Sequence, residues 1–413
     1  MAPGKLKIAV IADDLTGSLD TGLQFRKRGL ETVVPLKPGG KYPKAEALVI
    51  NTDTRNLPGE QAYRRVYGLC RRVSCPAIYK KIDSTMRGNV GREALAILDS
   101  AKIPKAVIVP TVPQQGRTVE RGILRVRGVP LLGTAYARDP FRPLTSSNVR
   151  VLLEKDSPDV GLIALSDVRR GAVWLSEKIR ENQARLLAID AVTQSDLHAI
   201  ALACRSLPWP VLPCGSVGLA EEVAPPEKKG PAVKRRSAPG PVLVVAASRN
   251  PATGEQIREA IARSGLHLIE PDLGAPGSPW KEKREIDSIS RQAGAFLAEG
   301  NGGVILSTTF QTHRAGREKI IPRFLGKAAV HLLRNYRVGG LVLTGGDLAM
   351  GVCRLLSSSA LRIEEEVLPG IPCSTLTDGP FKGLPLVTKA GGFGEKDALW
   401  KIIRYLKCDS TGA

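Results

Sequence analysis

The chain has 413 residues, 43% of them hydrophobic and 24% charged, and it carries a formal net charge of +20. That length exceeds a single typical core, so two domains are expected; no apolar run approaches the roughly 20 residues that span a bilayer, and seven cysteines without a C-x-x-C pair argue against a disulfide framework or a zinc ribbon. With no signal peptide ahead of the first strand the expected compartment is the cytoplasm, and the positive balance fits an anionic partner or a solvated Arg-rich surface, although 4% aromatic residues leave little for stacking on nucleic-acid bases.

The chain opens on residues 7–22, KIAVIADDLTGSLDTG. Residues 8–12 are apolar and uncharged, as a buried parallel strand requires, and Asp13 and Asp14 follow where that strand must end. Leu15, Leu19 and Leu23 recur at helical spacing, and Arg26, Lys27, Arg28 and Gly29 close the helix with positive charge and a terminal glycine. One carboxylate serves as helix cap; the other is surplus to capping and sits at the carboxyl edge of a sheet, where open α/β folds bind ligands. Strand-like runs at 47–50, 77–79, 106–109, 160–164, 186–189 and 211–212 alternate with helical patterns such as 59–72 and 90–100, the rhythm of a mostly parallel sheet. Residues 225–240, rich in Pro, Gly, Lys and Arg, read as an extended linker. Beyond it the rhythm restarts with a buried strand at 241–247 and a helix entered through Ser248 or Asn250 and Pro251. Strands at 304–306, 340–343 and 386–388, a helix around 327–335 and a last helix at 397–406 complete the chain. The expected fold class is therefore α/β: two α/β domains with mostly parallel sheets, residues 1–224 and 241–413, an active-site cleft between them and a linker at 225–240.

The polar stretches cluster at strand ends. Residues 80–91 place Lys80, Lys81, Asp83, Ser84, Thr85 and Arg87 ahead of a helix. An arginine fork there suits a substrate carboxylate, and the plain alternative is a polar surface loop with a helix cap. Residues 114–118 form a loop near the same edge and bring Arg117; in residues 214–220 Ser216 is a natural helix cap. Gly345, Gly346, Asp347 and Leu348 open a helix after a strand, where backbone N–H groups can cradle phosphate, and Gly391 lies in a second glycine-rich turn. Neither a P-loop nor a dinucleotide fingerprint is present, and His198, His267, His313 and His331 lie outside all these turns without metal spacing, so no metal ligands are assigned.

In their order, ADDLTGSLDTG, KKIDSTMRGNVG, QGRT, CGSVGLA, TGGDLA and KAGGFG make the chain resemble the four-carbon acid sugar kinase family over nearly its whole length. The resemblance implies ATP-dependent phosphorylation of the terminal hydroxyl of a four-carbon sugar acid such as threonate, erythronate or an oxo-tetronate. It implies that the first domain holds the acid through Asp13, Asp14, Lys81, Asp83 and Arg87, to which Arg117 is added from the loop near the same edge. The second domain would hold the nucleotide through Ser248, Asn250, Gly345, Gly346, Asp347, Leu348 and Gly391. The chain departs from the family's usual pattern at Asn250, Leu348, Ala390 and Gly392, which replace a serine, a threonine, a proline and an asparagine.

Phosphoryl transfer needs positioning, charge neutralisation and a path for the hydroxyl proton. Arg87 and Lys81 are expected to orient the acid, with Mg²⁺ bridging the triphosphate oxygens. Since no motif contains a histidine, Asp14 is expected to be the general base. Asp83, beside Lys80, Lys81 and Arg87, suits an ion pair instead. The expected partners are the sugar acid and ATP, without nucleic acid or membrane; a homo-oligomer is compatible with the sequence but not required by it. A basic nucleic-acid-binding protein and a Rossmann-type dehydrogenase are the competing readings, the latter disfavoured by the missing fingerprint.

Overall fold

Runs of Val, Ile, Leu and Ala become the inner strands of a parallel sheet because both of their faces are covered. The computed structural model describes residues 5–36, 43–138, 143–225, 240–248, 250–273, 282–298, 302–311 and 320–407. The chain divides into two units, residues 1–32 with 44–230 and residues 33–43 with 231–413. Apart from Pro225 and Gly240, the expected linker lies outside the described residues, as do Arg249 and His313.

In the first unit seven strands form one parallel sheet in the order Ala47–Asn51, Ile8–Ala12, Ile78–Lys81, Val211–Gly215, Lys105–Val109, Leu186–Ile189 and Val160–Ile163. Their carboxyl ends share one edge, so Asp13, the residues after Asn51, and Lys81 with its followers are neighbours there. Ile11, Ile50, Ile82, Ile97, Ile108 and Leu212 build the core below that edge, each full burial contributing roughly 1.5–3 kcal/mol.

Two local expectations differ. The strand expected at 77–79 runs on to Lys81, so Lys80 and Lys81 lie inside the sheet rather than in a loop. The sheet tolerates Lys80 because its ammonium meets Glu93 at 2.6 Å, with both side chains 1% exposed. The stretch expected as a loop at 114–118 is divided: Pro113–Gln115 is a 3-10 turn, Gly116 takes φ 66°, and Arg117–Glu120 starts a separate antiparallel sheet with Ile123–Val126 and Val129–Pro130.

In the second unit His267–Ile269, Gly303–Ser307, Val242–Ala246, Gly340–Thr344 and Pro385–Lys389 are parallel neighbours in that order. The sheet continues antiparallel through Ile371–Leu376 and Ala360–Leu368, which pairs with the Thr32–Pro35 strand from the beginning of the chain. This extension was not expected, since Arg362, Glu364, Glu365 and Glu366 hide the strand character of Ala360–Leu368. Val244, Ile257, Ile305, Val342, Val387 and Ile402 fill the core. Parallel pairing again brings the ends after Ala246, Thr344 and Lys389 to one edge.

Candidate active site

At the edge of the first unit Asp14 has extended backbone (φ −144°), and its Oδ1 accepts from the Gly17 N–H at 3.0 Å, capping the Leu15–Lys27 helix. The surplus carboxylate, Asp13, has another partner. Arg55 donates to Asp13 Oδ2 through Nε at 2.7 Å and to Asp13 Oδ1 through Nη2 at 3.0 Å, and to Asp14 Oδ2 through Nη1 at 2.7 Å. The same guanidinium lies 3.8 Å from Asp83 Oδ1. One arginine thus gathers the three carboxylates in a planar fork that lysine could not reproduce. Burial pushes the Asp13 carboxyl up, but Arg55, Lys80 and Lys81 outweigh it and hold it below its ordinary value.

Asp83 is bound from its own loop. Its Oδ2 accepts from Arg87 Nε at 2.9 Å and from the Thr85 N–H at 3.2 Å, and its Oδ1 accepts from Arg87 Nη2 at 2.9 Å. Burial raises this carboxyl, yet Arg87 and Arg55 hold it well below the usual range. Of the charge partners expected from sequence Arg87 is present, and Arg55 takes the place expected for Lys80 and Lys81. The Arg87 fork, expected to receive a substrate carboxylate, holds Asp83 through its Nε and Nη2. Met86 in this loop takes φ 61° and Gly88 φ 94°. A Cβ on Gly88 would lie 3.2 Å from Asp13 Oδ2, so glycine lets the loop close onto the carboxylate.

Lys81 is 5% exposed and donates from Nζ to the Ile82 carbonyl at 2.8 Å. A Cβ on Gly17 would lie 2.9 Å from that Nζ, which places the ammonium against the start of the helix capped by Asp14. Ser216, expected as a cap, makes no side-chain cap bond and instead donates to the Ile82 carbonyl at 2.8 Å. Arg117 has partners of its own: Nη1 donates to Gln115 Oε1 at 2.7 Å, and the guanidinium carbon lies 5.4 Å from the centre of the Tyr136 ring.

At the edge of the second unit Asn250 caps the Pro251–Ser264 helix by accepting from the Ala252 N–H at 3.0 Å. Ser248 Oγ accepts from the Asn250 N–H at 3.2 Å. Both touch the glycine-rich turn: a Cβ on Gly391 would collide with Ser248 Oγ, and one on Gly392 would lie 2.7 Å from Asn250 Nδ2. Gly345, at φ 111°, donates to the Lys389 carbonyl at 2.9 Å and leads into the Gly346–Leu355 helix. Asp347 falls in that helix's first turn, while Leu348 is 2% exposed and packs into the core. The sequence-selected residues Ser248, Asn250, Gly345 and Gly391 therefore meet at one edge. Lys389 lies beneath them, its ammonium lowered by burial to about 8.

Sequence reasoning missed Arg55. Its signal was available: residues 51–56, NTDTRN, are a polar run directly after a buried strand, as Asp13 and Asp14 are. Asn89 fixes this run by donating to the Thr54 and Leu57 carbonyls at 2.9 Å each. Among the described residues no group of three or more His, Cys, Asp or Glu side chains could hold a metal ion, and no helix is long and apolar enough to cross a membrane.

Residues 8–223 match the family model of a sugar-binding N-terminal domain, and residues 243–399 that of a nucleotide-binding C-terminal domain. A D-threonate kinase of Salmonella typhimurium is 36% identical over 425 residues, covering 97% of this chain and 99% of the relative. A D-erythronate kinase of Heliobacterium modesticaldum is 31% identical, and a 3-oxo-tetronate kinase of Burkholderia multivorans 29% identical, each with 97% coverage of both chains. A solved Haemophilus influenzae structure, catalogued under a domain of unknown function, aligns with a TM-score of 0.73 at 24% identity, covering 97% of this chain and 100% of its own; it shares the fold.

Proposed function

This chain belongs to the four-carbon acid sugar kinase family, and from that premise we propose that it transfers the γ-phosphoryl group of ATP to the terminal hydroxyl of a four-carbon sugar acid. The observation that carries the proposal is the match along both units to curated kinases of threonate, erythronate and oxo-tetronate. It sets aside the nucleic-acid-binding and dehydrogenase readings. The test is turnover of ATP by the purified protein with a panel of D-threonate, D-erythronate and 3-oxo-tetronate. Phosphorylation of one of them supports the proposal and selects the substrate; no ATP turnover with any tetronate overturns it.

In this proposal the first unit binds the acid. Lys81 supplies a buried positive charge beside a helix start, Arg87 and Arg55 hold the carboxylate cluster in one geometry, and Asp14 accepts the hydroxyl proton. Arg117, held by Gln115 and Tyr136, is assigned to the outer part of the acid site. The second unit binds ATP, and its geometry fits a phosphate chain. Gly391 and Gly392 let the turn close against Ser248 and Asn250, whose side chains a Cβ at either position would meet, and Gly345 opens a helix whose first N–H groups lack intrahelical acceptors. Bound to the triphosphate, Mg²⁺ neutralises charge on the phosphate oxygens; Asp347 is the carboxylate we assign to it through water. A cytoplasmic location belongs to the same proposal and accords with the free thiols of Cys70, Cys75, Cys204, Cys214, Cys353 and Cys373.

Arg87→Lys keeps a positive charge but loses the bidentate hold on Asp83. The KM for the acid is expected to rise about tenfold, with the KM for ATP unchanged. Equal steady-state KM values for the acid in variant and wild type would remove Arg87 from the acid site.

A further inference from the structure

Lys389 is a buried cation to which the proposed reaction gives no role. It closes the Pro385–Lys389 strand and is 2% exposed. The hydrogen bonds of its ammonium run to the turn that follows: Nζ donates to the carbonyls of Ala390 at 3.1 Å, Gly391 at 3.2 Å and Phe393 at 3.1 Å. Three acceptors converging on one point need three donors in a pyramid, which an ammonium has and an amine, an amide or a planar guanidinium does not. Two neighbours complete the hold: Thr253 Oγ1 donates to the Gly391 carbonyl at 2.9 Å, and Gln256 Nε2 donates to the carbonyls of Phe393, Gly394 and Glu395 at 3.0 Å each.

The consequence appears on the other side of the turn. In a trans peptide the C=O and the next residue's N–H point in opposite directions, and no described peptide bond is cis. Drawing the carbonyls of residues 390, 391 and 393 down onto the ammonium turns the N–H groups of Gly391, Gly392 and Gly394 away from it. Among the described residues none of these three N–H groups has a protein acceptor. Gly391 and Gly392 lie beside Ser248 and Asn250, whereas Gly394 lies against Ala398; the Lys389 carbonyl binds the Gly345 N–H at 2.9 Å, tying in the second glycine turn. Outward N–H groups converging from successive residues are an anion cradle.

We propose that Lys389 is the positioning residue of the nucleotide site: by collecting the carbonyls of its own turn, it aims the N–H groups of Gly391 and Gly392 at the phosphate chain. This rests on the reading that the second unit binds ATP. Lys389 makes no contact with the nucleotide itself and acts through the turn.

The test is ADP binding to the full chain by calorimetry, with D-threonate, or whichever tetronate the enzyme accepts, as the control ligand. Lys389→Met keeps the length and removes every donor; it is expected to weaken ADP binding about 10- to 100-fold and to raise the KM for ATP alike. Binding of the acid is expected to stay within about twofold of wild type. Lys389→Gln restores two N–H donors without charge and is expected to fall between wild type and Lys389→Met, a gradation that loss of packing alone does not produce. An ADP affinity of Lys389→Met equal to wild type overturns the proposal. Should Lys389→Met lose acid binding too, the decision passes to Lys389→Gln: unchanged ADP affinity overturns the proposal, and weakened ADP affinity with intact acid binding supports it. Gly391→Val separates this inference from the reading beneath it, since its side chain would collide with Ser248 Oγ and displace the turn from the nucleotide edge. If Gly391→Val binds ADP like wild type, the nucleotide does not use this turn and that reading fails. If Gly391→Val loses ADP while Lys389→Met keeps it, only the role of Lys389 fails.

Discussion

Asp14→Asn is expected to lower kcat about 10²–10⁴-fold, the usual range for loss of a general base, without changing the KM for ATP. Asparagine caps a helix as well as aspartate does, so the acceptor that meets the Gly17 N–H at 3.0 Å survives and the Leu15–Lys27 helix starts unchanged. What disappears is a carboxylate that can take a proton, together with the acceptor that meets Arg55 Nη1 at 2.7 Å. The neighbours are poor replacements. Asp13 is 3% exposed and chelated by Arg55, and Asp83 is kept well below the ordinary carboxylate range by Arg87 and Arg55. Asp14 meets Arg55 through one oxygen only, and its side chain is 23% exposed. Rapid-quench measurement of the phosphoryl-transfer step gives the decision. A rate within threefold of wild type would remove Asp14 as the base.

Arg55→Met is expected to destabilise the protein by about 3–5 kcal/mol at neutral pH, because it strips the shared cation from buried carboxylates and leaves them uncompensated. Arg55→Lys keeps the charge without the fork and is expected to retain most of the stability but to lose about 10- to 100-fold in kcat/KM. The pH dependence carries the sign. In the wild type the Asp13 and Asp83 carboxyls are depressed, so their stabilisation is present above the unfolded value near 3.8 and is lost as pH falls through the lower folded values. Without Arg55 its lowering of the Asp13 carboxyl is lost while burial remains, so the folded carboxyl rises; the variant's deficit relative to the wild type is therefore expected to shrink as pH is lowered from 7 to 5. Urea unfolding at the two pH values measures both slopes. A deficit below 1 kcal/mol that does not change with pH would show that Arg55 is not the clamp of this site.

Two kinds of information specify the site, and they differ in range. The glycine turns and the paired aspartates were legible because each is local: a strand of apolar residues ends, and polar residues follow within one or two positions. Asp14 as helix cap, Asn250 with Pro251 as helix start, and the meeting of Ser248 with Gly391 all follow from where those strands stop. The Thr32–Pro35 strand was not legible, because its place beside Ala360–Leu368 depends on a partner more than 300 residues away.

By itself the sequence determined the parallel strands of each unit, their order along the chain and the edges at which polar residues gather, since hydrophobic periodicity and strand ends are properties of neighbouring residues. Only the tertiary structure decided which charges meet. Arg55 reaches Asp13 and Asp14 across 42 and 41 residues, Lys80 pairs with a buried Glu93, and Arg117 starts a strand of a separate antiparallel sheet. Lys389 bends back on its own turn. The physical reason is that a buried charge must find its partners within about 3 Å, and the packing of separate elements, rather than spacing along the chain, sets that distance.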